Sequence, residues 1–191
     1  MSVIPTVLIT GANSGIGYEV ARHLLQNGYE VFIICRDDEK TTATVTDLSR
    51  YGSCKIAAKG GMDLNDLESV RMFAERFSSK SLNILINNAG IMGLPNLQKS
   101  KQGYEAHVAI NFLSHFLLTR LLLPKLILGA ETSKTPSRVI NVSSDAHYWV
   151  NGPLELKSLF YGVDESYNFQ QQYAASKFLN GRSVSSSCNG F

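Results

Sequence analysis

The sequence predicts an α/β protein whose doubly wound parallel sheet is covered by helices on both faces. Short, nearly continuous apolar runs alternate with segments in which apolar residues recur at helical spacing. The runs lack the strict alternation of a half-exposed sheet, so we expect strands that are buried on both sides. With 191 residues, of which 44% are hydrophobic and 18% charged, the chain has the length and composition of one globular domain.

The apolar runs give the order of the strands. The predicted strands are TVLIT, EVFIIC, KIAA, LNILINNAG, whose last residues form a loop, and RVINVSS. A glycine-rich turn, GANSGIG, follows the first strand at once. After it, Ile16, Val20 and Leu24 recur at the spacing of one helix face.

The remaining segments predict further helices. Residues 37–50 form a weaker helix because they are rich in threonine. Asn65 with Glu68 three residues later is typical of a capping box at a helix start. Residues 104–128 predict a long apolar helix, and residues 145–172 an irregular insert with six aromatic side chains. These aromatic residues could line a pocket for an apolar ligand or pack together as an ordinary loop.

The C-terminal residues lack the pattern of the rest. We expect the last helix to end after Leu179, because NGRSVSSSCNGF has no helical period. The interpretation is therefore one domain over residues 1–181 and an irregular tail over residues 182–191.

Bulk properties exclude several functional classes. Eighteen basic and sixteen acidic residues leave a net charge of +2, which favours neither nucleic acid nor an anionic membrane surface as a partner. Cys35, Cys54 and Cys188 lack metal-ligand spacing, so we expect no metal site. Without a secretory signal, free thiols indicate a cytoplasmic protein, with peripheral association with an organelle membrane left open. Charged residues and a proline interrupt the apolar segment Phe112–Leu128, which favours a buried helix over a membrane span.

The glycine-rich turn is the first candidate site. Gly11, Gly15 and Gly17 lie between the first strand and the first helix. Glycine allows a positive φ and a close approach of backbone, and the helix N-terminus offers free amides to a phosphate. A glycine turn without a ligand is the alternative. Its place on the first strand of a doubly wound sheet favours dinucleotide binding, as in Rossmann-like folds.

Further motifs follow in order: MDLND after the third strand, NNAG after the fourth, Asn111 in the long helix, NVSS on the fifth strand, and YAASK. Together with TGANSGIG, they resemble the short-chain dehydrogenase/reductase family over residues 5–181. INFLSHFLLT and the long gap before the tyrosine look most like its retinol-dehydrogenase and WW-domain-oxidoreductase-like branch. The resemblance implies a nicotinamide-dependent oxidoreductase that interconverts an alcohol and a carbonyl. The apolar insert suggests a small hydrophobic substrate such as a retinoid, a steroid or a lipid aldehyde or ketone.

The end of the second strand bears on the choice of cofactor. In this architecture an acid there binds the adenosine ribose, whereas an arginine attracts a 2′-phosphate. Cys35 takes the place of the acid and Arg36 follows, so we infer NADP(H). Asp37 leaves two alternatives open, an NAD(H) ribose ligand or a helix cap.

The resemblance implies a wider set of cofactor contacts. Asp63 and Leu64 would line the adenine, although Asp63 could instead only cap the next helix. Residues 88–90 would pass under the cofactor near its ribose. The full set of cofactor-binding candidates is Gly11, Asn13, Ser14, Gly15, Ile16, Gly17, Arg36, Asp63, Leu64, Asn88, Ala89, Gly90 and Lys177.

The catalytic candidates are Tyr173, Lys177, Ser144 and Asn111. Tyr173 and Lys177 are four residues apart, so a helix places them on one face, where the ammonium favours the phenolate needed for proton transfer. By resemblance, Lys177 also holds the nicotinamide ribose and Ser144, rather than its neighbour Ser143, binds the substrate oxygen. Asn111 would hold a water that relays protons to Lys177, or would be an ordinary buried amide.

The chain departs from the family pattern at its C-terminal side. The family adds further strands and a segment that covers the substrate, and neither is found here. We therefore expect the fifth strand to be an unpaired edge. An alternative follows: a truncated, inactive form that binds only a nucleotide or a protein partner. Homodimers are common in this family, but the short last helix weakens that expectation here.

Overall fold

The computed structural model of the protein describes residues 4–150, 152–163, 165 and 167–187, with side chains described as far as residue 182. Among these residues the strands are Thr6–Thr10 (β1), Glu30–Ile34 (β2), Cys54–Ile56 (β3), Ile84–Asn87 (β4) and Arg138–Asn141 (β5). The α-helices are Gly15–Gln26 (α1), Asp38–Leu48 (α2), Leu67–Arg76 (α3), Ala106–Val108 (α4), Ser114–Ser133 (α5), Leu156–Tyr161 (α6) and Phe169–Ser187 (α7). A π-helical turn, Ala109–Leu113, joins α4 to α5, and 3₁₀ turns cover Ser49–Tyr51 and Asp145–Trp149. Cys188 lies outside the described residues.

The strands form one parallel sheet in the order β3-β2-β1-β4-β5. The chain runs outward from β1 to β3 and then returns to the other side of β1 with β4. The strand order therefore reverses between β1 and β4, where open α/β sheets form a crevice at the carboxyl ends of their strands.

Two apolar layers cover the sheet and confirm the predicted doubly wound fold. Val7 and Ile9 point to the layer that holds α1 and α2. Leu8 points to the opposite layer, where α3 and α5 pack. All three side chains are fully buried, because successive residues of a strand face opposite sides and helices cover both.

The start of α3 corrects one prediction. The helix is capped by Asp66, whose carboxylate accepts the Glu68 amide at 3.1 Å, and not by Asn65. The same carboxylate accepts Lys101 Nζ at 2.7 Å and Gln102 Nε2 at 2.9 Å. These contacts lower the pKa of Asp66 to about 2. Partners that lie far along the chain therefore decide which of two adjacent residues caps the helix.

The C-terminal helix is longer than predicted. It continues to Ser187, although we expected it to end near Leu179 and to give way to an irregular tail at residue 182. Helix growth is cooperative, so a segment anchored by buried Ala174 and Ala175 extends through residues of moderate propensity such as serine. The predicted irregular insert likewise contains a 3₁₀ turn and α6.

Strand β5 lies at the edge of the sheet, as predicted, and pairs with β4 alone among the described residues. Its Val139 and Ile140 are 37% and 44% exposed, whereas the interior strand β1 is buried throughout. Helix 106–133, which combines α4, the π turn and α5, has a mean hydropathy of 1.4 over its most apolar window. It is long and apolar enough to cross a membrane, so the absence of a span stays a prediction.

Two glycines in helices test the packing around α5 and the length of α7. A side chain at Gly129 would overlap the Leu82 carbonyl, whereas nothing lies within 4 Å of the corresponding position at Gly181. We expect Gly129→Ala to lower the free energy of unfolding by about 1–3 kcal/mol through overpacking. Gly181→Ala should raise it by up to about 1 kcal/mol, since alanine favours an exposed helix. Urea unfolding followed by circular dichroism measures both values, and destabilisation by Gly181→Ala would contradict the helix at that position.

Candidate active site

A cleft of about 520 Å³ opens at the carboxyl ends of the strands, where the strand order reverses. Its size is within the range of small-molecule and cofactor sites. Most of the predicted cofactor residues line it: Gly11, Asn13, Ser14, Ile16, Gly17, Arg36, Asp63, Leu64, Asn88, Ala89 and Gly90. Gly15 is not among the lining residues, and Lys177 lines an adjoining pocket.

The glycine turn has the geometry that a diphosphate requires. Gly11 has φ +67°, and a Cβ there would lie 2.8 Å from Ala89 Cβ. A Cβ on Gly17 would lie 2.5 Å from Asn88 Nδ2, while Gly15 needs glycine only for its φ of +57°. Ser14 makes no side-chain cap on α1, and the first turn contains no acidic residue. The amides of this helix end therefore remain available, which suits an anion such as a pyrophosphate.

Thr10 joins the glycine turn to β4, a role that the sequence analysis did not assign. Its Oγ1 accepts the amides of Asn88 and Ala89, both at 3.0 Å. In return, Asn88 Nδ2 donates to the carbonyls of Thr10 at 2.9 Å and Gly11 at 3.1 Å. The only sequence signal for this role is the position of Thr10 directly before the glycine turn.

His115 completes this junction from α5. Its Nδ1 lies 3.3 Å from the Asn111 carbonyl, and its Nε2 lies 2.9 Å from Thr10 Oγ1. Because a carbonyl can only accept, Nδ1 carries the proton and Nε2 accepts the Thr10 hydroxyl. Burial lowers the pKa of His115 to about 4, so the imidazole is neutral near pH 7.

The opposite end of the cleft carries two basic side chains. Arg36 is exposed and Lys40, which the sequence analysis missed, also lines this end. Asp37 caps α2 by accepting the Lys40 amide at 3.0 Å, and its other carboxylate oxygen lies 3.9 Å from Lys40 Nζ. The helix-cap alternative for Asp37 is therefore realised. Burial raises the pKa of the Cys35 thiol, which lies between the cleft and the core.

The loop after β3 closes this end of the cleft. Gly61 has φ +59°, and a side chain there would overlap the Arg36 carbonyl, so glycine permits the close approach to the end of β2. Gly61 was not among the predicted site residues, although the Gly60–Gly61 pair marks a turn. Asp63 lines the cleft and accepts the Asn65 amide at 2.9 Å within the loop before α3. Because Asp66 caps α3, the helix-cap alternative for Asp63 is not realised.

A second pocket, of about 310 Å³, adjoins the first. The two share residues Ile16, Asn88, Gly90 and Ile91. Ser143, Ser144, Tyr173 and Lys177 also line the second pocket. The structure therefore brings three of the four predicted catalytic residues together beside the glycine cleft.

The Lys177 side chain is held by the backbone that follows β5. Its Nζ donates to the Val142 carbonyl at 2.9 Å and lies 5.8 Å from the centre of the Tyr173 ring. The residue is only 5% exposed, and burial lowers its pKa. A fixed ammonium near the phenol is the arrangement expected for proton transfer by tyrosine.

The two adjacent serines differ in their contacts. Ser143 Oγ donates to the Lys177 carbonyl at 2.9 Å, which ties β5 to α7. Ser144 caps the following 3₁₀ turn by accepting the Ala146 amide at 3.2 Å, and its hydroxyl donates to Asp145 at 3.1 Å. Ser144 is the better candidate to bind a substrate oxygen, because its hydrogen bonds are to residues one and two positions away. The Ser143 hydroxyl is already bonded to α7.

Asn111 lies in the π turn, where helices often distort at functional sites. Its side chain accepts the Ile91 amide at 2.8 Å and donates to the Ile91 carbonyl at 3.0 Å and to Ser176 Oγ at 2.9 Å. The amide is thus satisfied by the loop after β4 and by α7, and Asn111 does not line the pocket. Its role in holding a water for Lys177 stays a prediction.

Comparison with known proteins agrees with this geometry. A family model described as short chain dehydrogenase matches residues 5–152. The chain belongs to the short chain dehydrogenase family. It is 42% identical to retinol dehydrogenase 12 of Bos taurus and 40% identical to retinol dehydrogenase 11 of Homo sapiens, over 176 residues in each case. The predicted family and its retinol-dehydrogenase-like branch are therefore confirmed.

The alignments cover 91% of this chain but 52% of each relative. The chain thus spans about half the length of the curated relatives it matches. Among solved structures, the RhlG/NADP active-site complex of Pseudomonas aeruginosa superposes with a TM-score of 0.73 at 30% identity. The superposition covers 99% of this chain and 68% of that one.

The buried imidazole of His115 predicts a pH-dependent stability. Its folded pKa of about 4 lies below the usual 6.5, so the unfolded state binds more protons between these values. The free energy of unfolding should fall by about 3 kcal/mol as the pH drops from 7 to 4. His115→Gln keeps an acceptor for Thr10 and should remove most of this slope.

Urea titrations at pH 7, 5.5 and 4.5 measure the slope. His23→Gln, a matched change at an exposed residue of α1, should keep the wild-type slope. An equal slope in wild type and His115→Gln would refute a neutral, buried imidazole.

Proposed function

We propose that this short chain dehydrogenase binds NADP(H) and interconverts a small hydrophobic alcohol and its carbonyl compound. The observation that carries the proposal is the position of Tyr173, Lys177 and Ser144. All three line one pocket, and that pocket opens into the cleft above the glycine turn.

The residues of the second pocket suit the proton transfer that this reaction requires. When bound, the nicotinamide supplies a hydride to a carbonyl carbon or accepts one from an alcohol carbon. In reduction, Tyr173 donates its hydroxyl proton to the carbonyl oxygen, and in oxidation its phenolate takes the proton back. The Lys177 side chain lies beside the Tyr173 ring, and Ser144 holds the substrate oxygen beside Tyr173.

The preference for NADP(H) rests on the end of β2. Arg36 and Lys40 line the cleft there, and two cations attract a 2′-phosphate. Asp37, the residue that would favour the ribose hydroxyls of NAD(H), is already engaged as the cap of α2. The RhlG/NADP complex of Pseudomonas aeruginosa supports a nicotinamide dinucleotide as the cofactor.

The substrate class rests on the apolar side of the second pocket. Ile91 and Met92 line it next to the reacting groups. The related retinol dehydrogenases 11 and 12 are named for an apolar alcohol. A form that binds a nucleotide without turnover is less well supported, because the reacting side chains lie together in one pocket.

Tyr173→Phe tests the proposed reaction. Loss of the proton donor should lower kcat for NADPH-dependent reduction of all-trans-retinal or nonanal by about 10²–10⁴-fold. The measurement is the decay of NADPH absorbance with purified protein. The Kd for NADPH, measured by fluorescence, should stay near the wild-type value. A variant that reduces either aldehyde at the wild-type rate would refute the role of Tyr173.

Arg36→Ala tests the choice of cofactor. Loss of a charged hydrogen bond to the 2′-phosphate should raise the Kd for NADPH by about 10–100-fold. The Kd for NADH should hardly change, because that cofactor lacks the phosphate. Arg71→Ala, which removes an exposed arginine from α3, is the matched control and should leave both values unchanged. Tighter binding of NADH than of NADPH by the wild type would contradict the assignment.

A further inference from the structure

Three polar side chains beside the second pocket have no part in the chemistry above. They are Glu105, His107 and Tyr167, and we call them the Glu105 cluster. Glu105 and His107 are fully buried at the start of the long helix. Tyr167 belongs to the insert that precedes α7. Buried acids and imidazoles are uncommon unless they are paired, so this cluster calls for a physical explanation.

The Glu105 carboxylate uses both of its oxygens. One oxygen accepts the Val108 amide at 2.9 Å and thereby caps α4. The other lies 2.8 Å from His107 Nδ1 and accepts the Tyr167 hydroxyl at 3.1 Å. Since a carboxylate only accepts, Nδ1 of His107 carries a proton and the ring orientation is fixed. Burial first, and then the Glu105 charge, raise the pKa of Tyr167, so its hydroxyl remains a donor.

The cluster links the insert to the helix that bears Tyr173. The His107 ring meets the Tyr173 ring edge-on, with centroids 6.3 Å apart and an interplanar angle of 71°. The backbone amide of Glu105 also donates to the Phe160 carbonyl in the insert, at 2.7 Å. Leu159 of α6 packs with Val108 and Ala175 in a small apolar group. Glu105 thus contacts the insert through its side chain and its backbone.

The second ring nitrogen of His107 takes no part in the hydrogen bonds of the Glu105 cluster. Its Nε2 is buried and has no hydrogen-bond partner among the described residues. A ring serving only to satisfy Glu105 could be replaced by a smaller donor. The aromatic ring adds the contact with Tyr173.

We infer that Glu105 and His107 are positioning residues: the carboxylate anchors the insert through Tyr167, and the imidazole that it orients fixes the ring of Tyr173. This inference rests on the proposed role of Tyr173 in the reaction. The insert is then held against the start of α7, where Gln171 and Gln172 donate to the Trp149 and Ser158 carbonyls at 3.2 Å each. The phenol of Tyr173 thereby keeps one orientation toward the substrate oxygen.

Tyr167→Phe tests the anchor, because it removes only the hydroxyl that Glu105 accepts. Tyr161→Phe is the matched control in α6, where Tyr161 stacks on Tyr104. Trypsin cleavage after Lys157, an exposed residue of α6, reports opening of the insert without needing turnover. We expect cleavage about tenfold faster in Tyr167→Phe than in wild type or Tyr161→Phe. Equal cleavage rates in all three proteins would overturn the anchor.

Kinetics with NADPH and all-trans-retinal provide the second measurement. Tyr167→Phe should raise KM for retinal about tenfold, because the insert bonded to the start of α7 is loosened, while the Kd for NADPH stays unchanged. His107→Asn keeps a donor near Glu105 but removes the ring beside Tyr173. It should lower kcat about tenfold and leave the trypsin rate unchanged. An unchanged kcat in folded His107→Asn would overturn the positioning of Tyr173.

The two measurements separate this inference from the proposed function. If wild type binds NADPH but reduces no aldehyde, the proposed reaction fails and the positioning of Tyr173 for it fails too. The trypsin comparison still decides the anchor in that case: faster cleavage of Tyr167→Phe supports it, and equal rates refute it. A different result is an active wild type and an inactive Tyr173→Phe, with Tyr167→Phe and His107→Asn both behaving as wild type. In that case only this inference fails.

Discussion

The hydroxyl of Thr10 joins the elements from which the cleft is built. It accepts two amides of the loop after β4 and donates to His115 on α5. Gly11 and Gly17 lack side chains where this loop and the glycine turn approach each other. A parallel sheet brings the carboxyl ends of β1 and β4 to one edge, but it does not fix the distance between their loops. The buried hydrogen bonds of Thr10 fix that distance, and the shape of the glycine cleft depends on it.

The π turn connects this junction to the second pocket through hydrogen bonds of Asn111. Asn111 binds both backbone groups of Ile91 on one side and Ser176 of α7 on the other. Its carbonyl also accepts Asn180 Nδ2 at 3.2 Å, further along the same helix. The helix that presents Tyr173 and Lys177 is therefore tied to the loop that passes beside the cofactor cleft. The two pockets therefore share one frame, which the proposed reaction requires because catalysis depends on precise geometry.

The sequence predicted the strands, the main helices, the sheet class and the glycine cleft, because apolar periodicity and turn chemistry are local signals. Features that depend on distant partners could not be predicted. Asp66 rather than Asn65 caps α3 because Lys101 and Gln102 reach it from another loop. The role of Thr10 likewise depends on residues 78 to 105 positions away. The length of α7 was missed because the cooperativity of a packed helix leaves no apolar period at its exposed end.

We propose that one dinucleotide spans both pockets, from the basic side chains at the end of β2 to Tyr173. A crystal structure with bound NADP⁺ would show its position. We expect the diphosphate at the amides that begin α1 and the nicotinamide ring between Ser144 and Tyr173. A dinucleotide outside the glycine cleft, or a nicotinamide ring turned away from the Tyr173 hydroxyl, would contradict it.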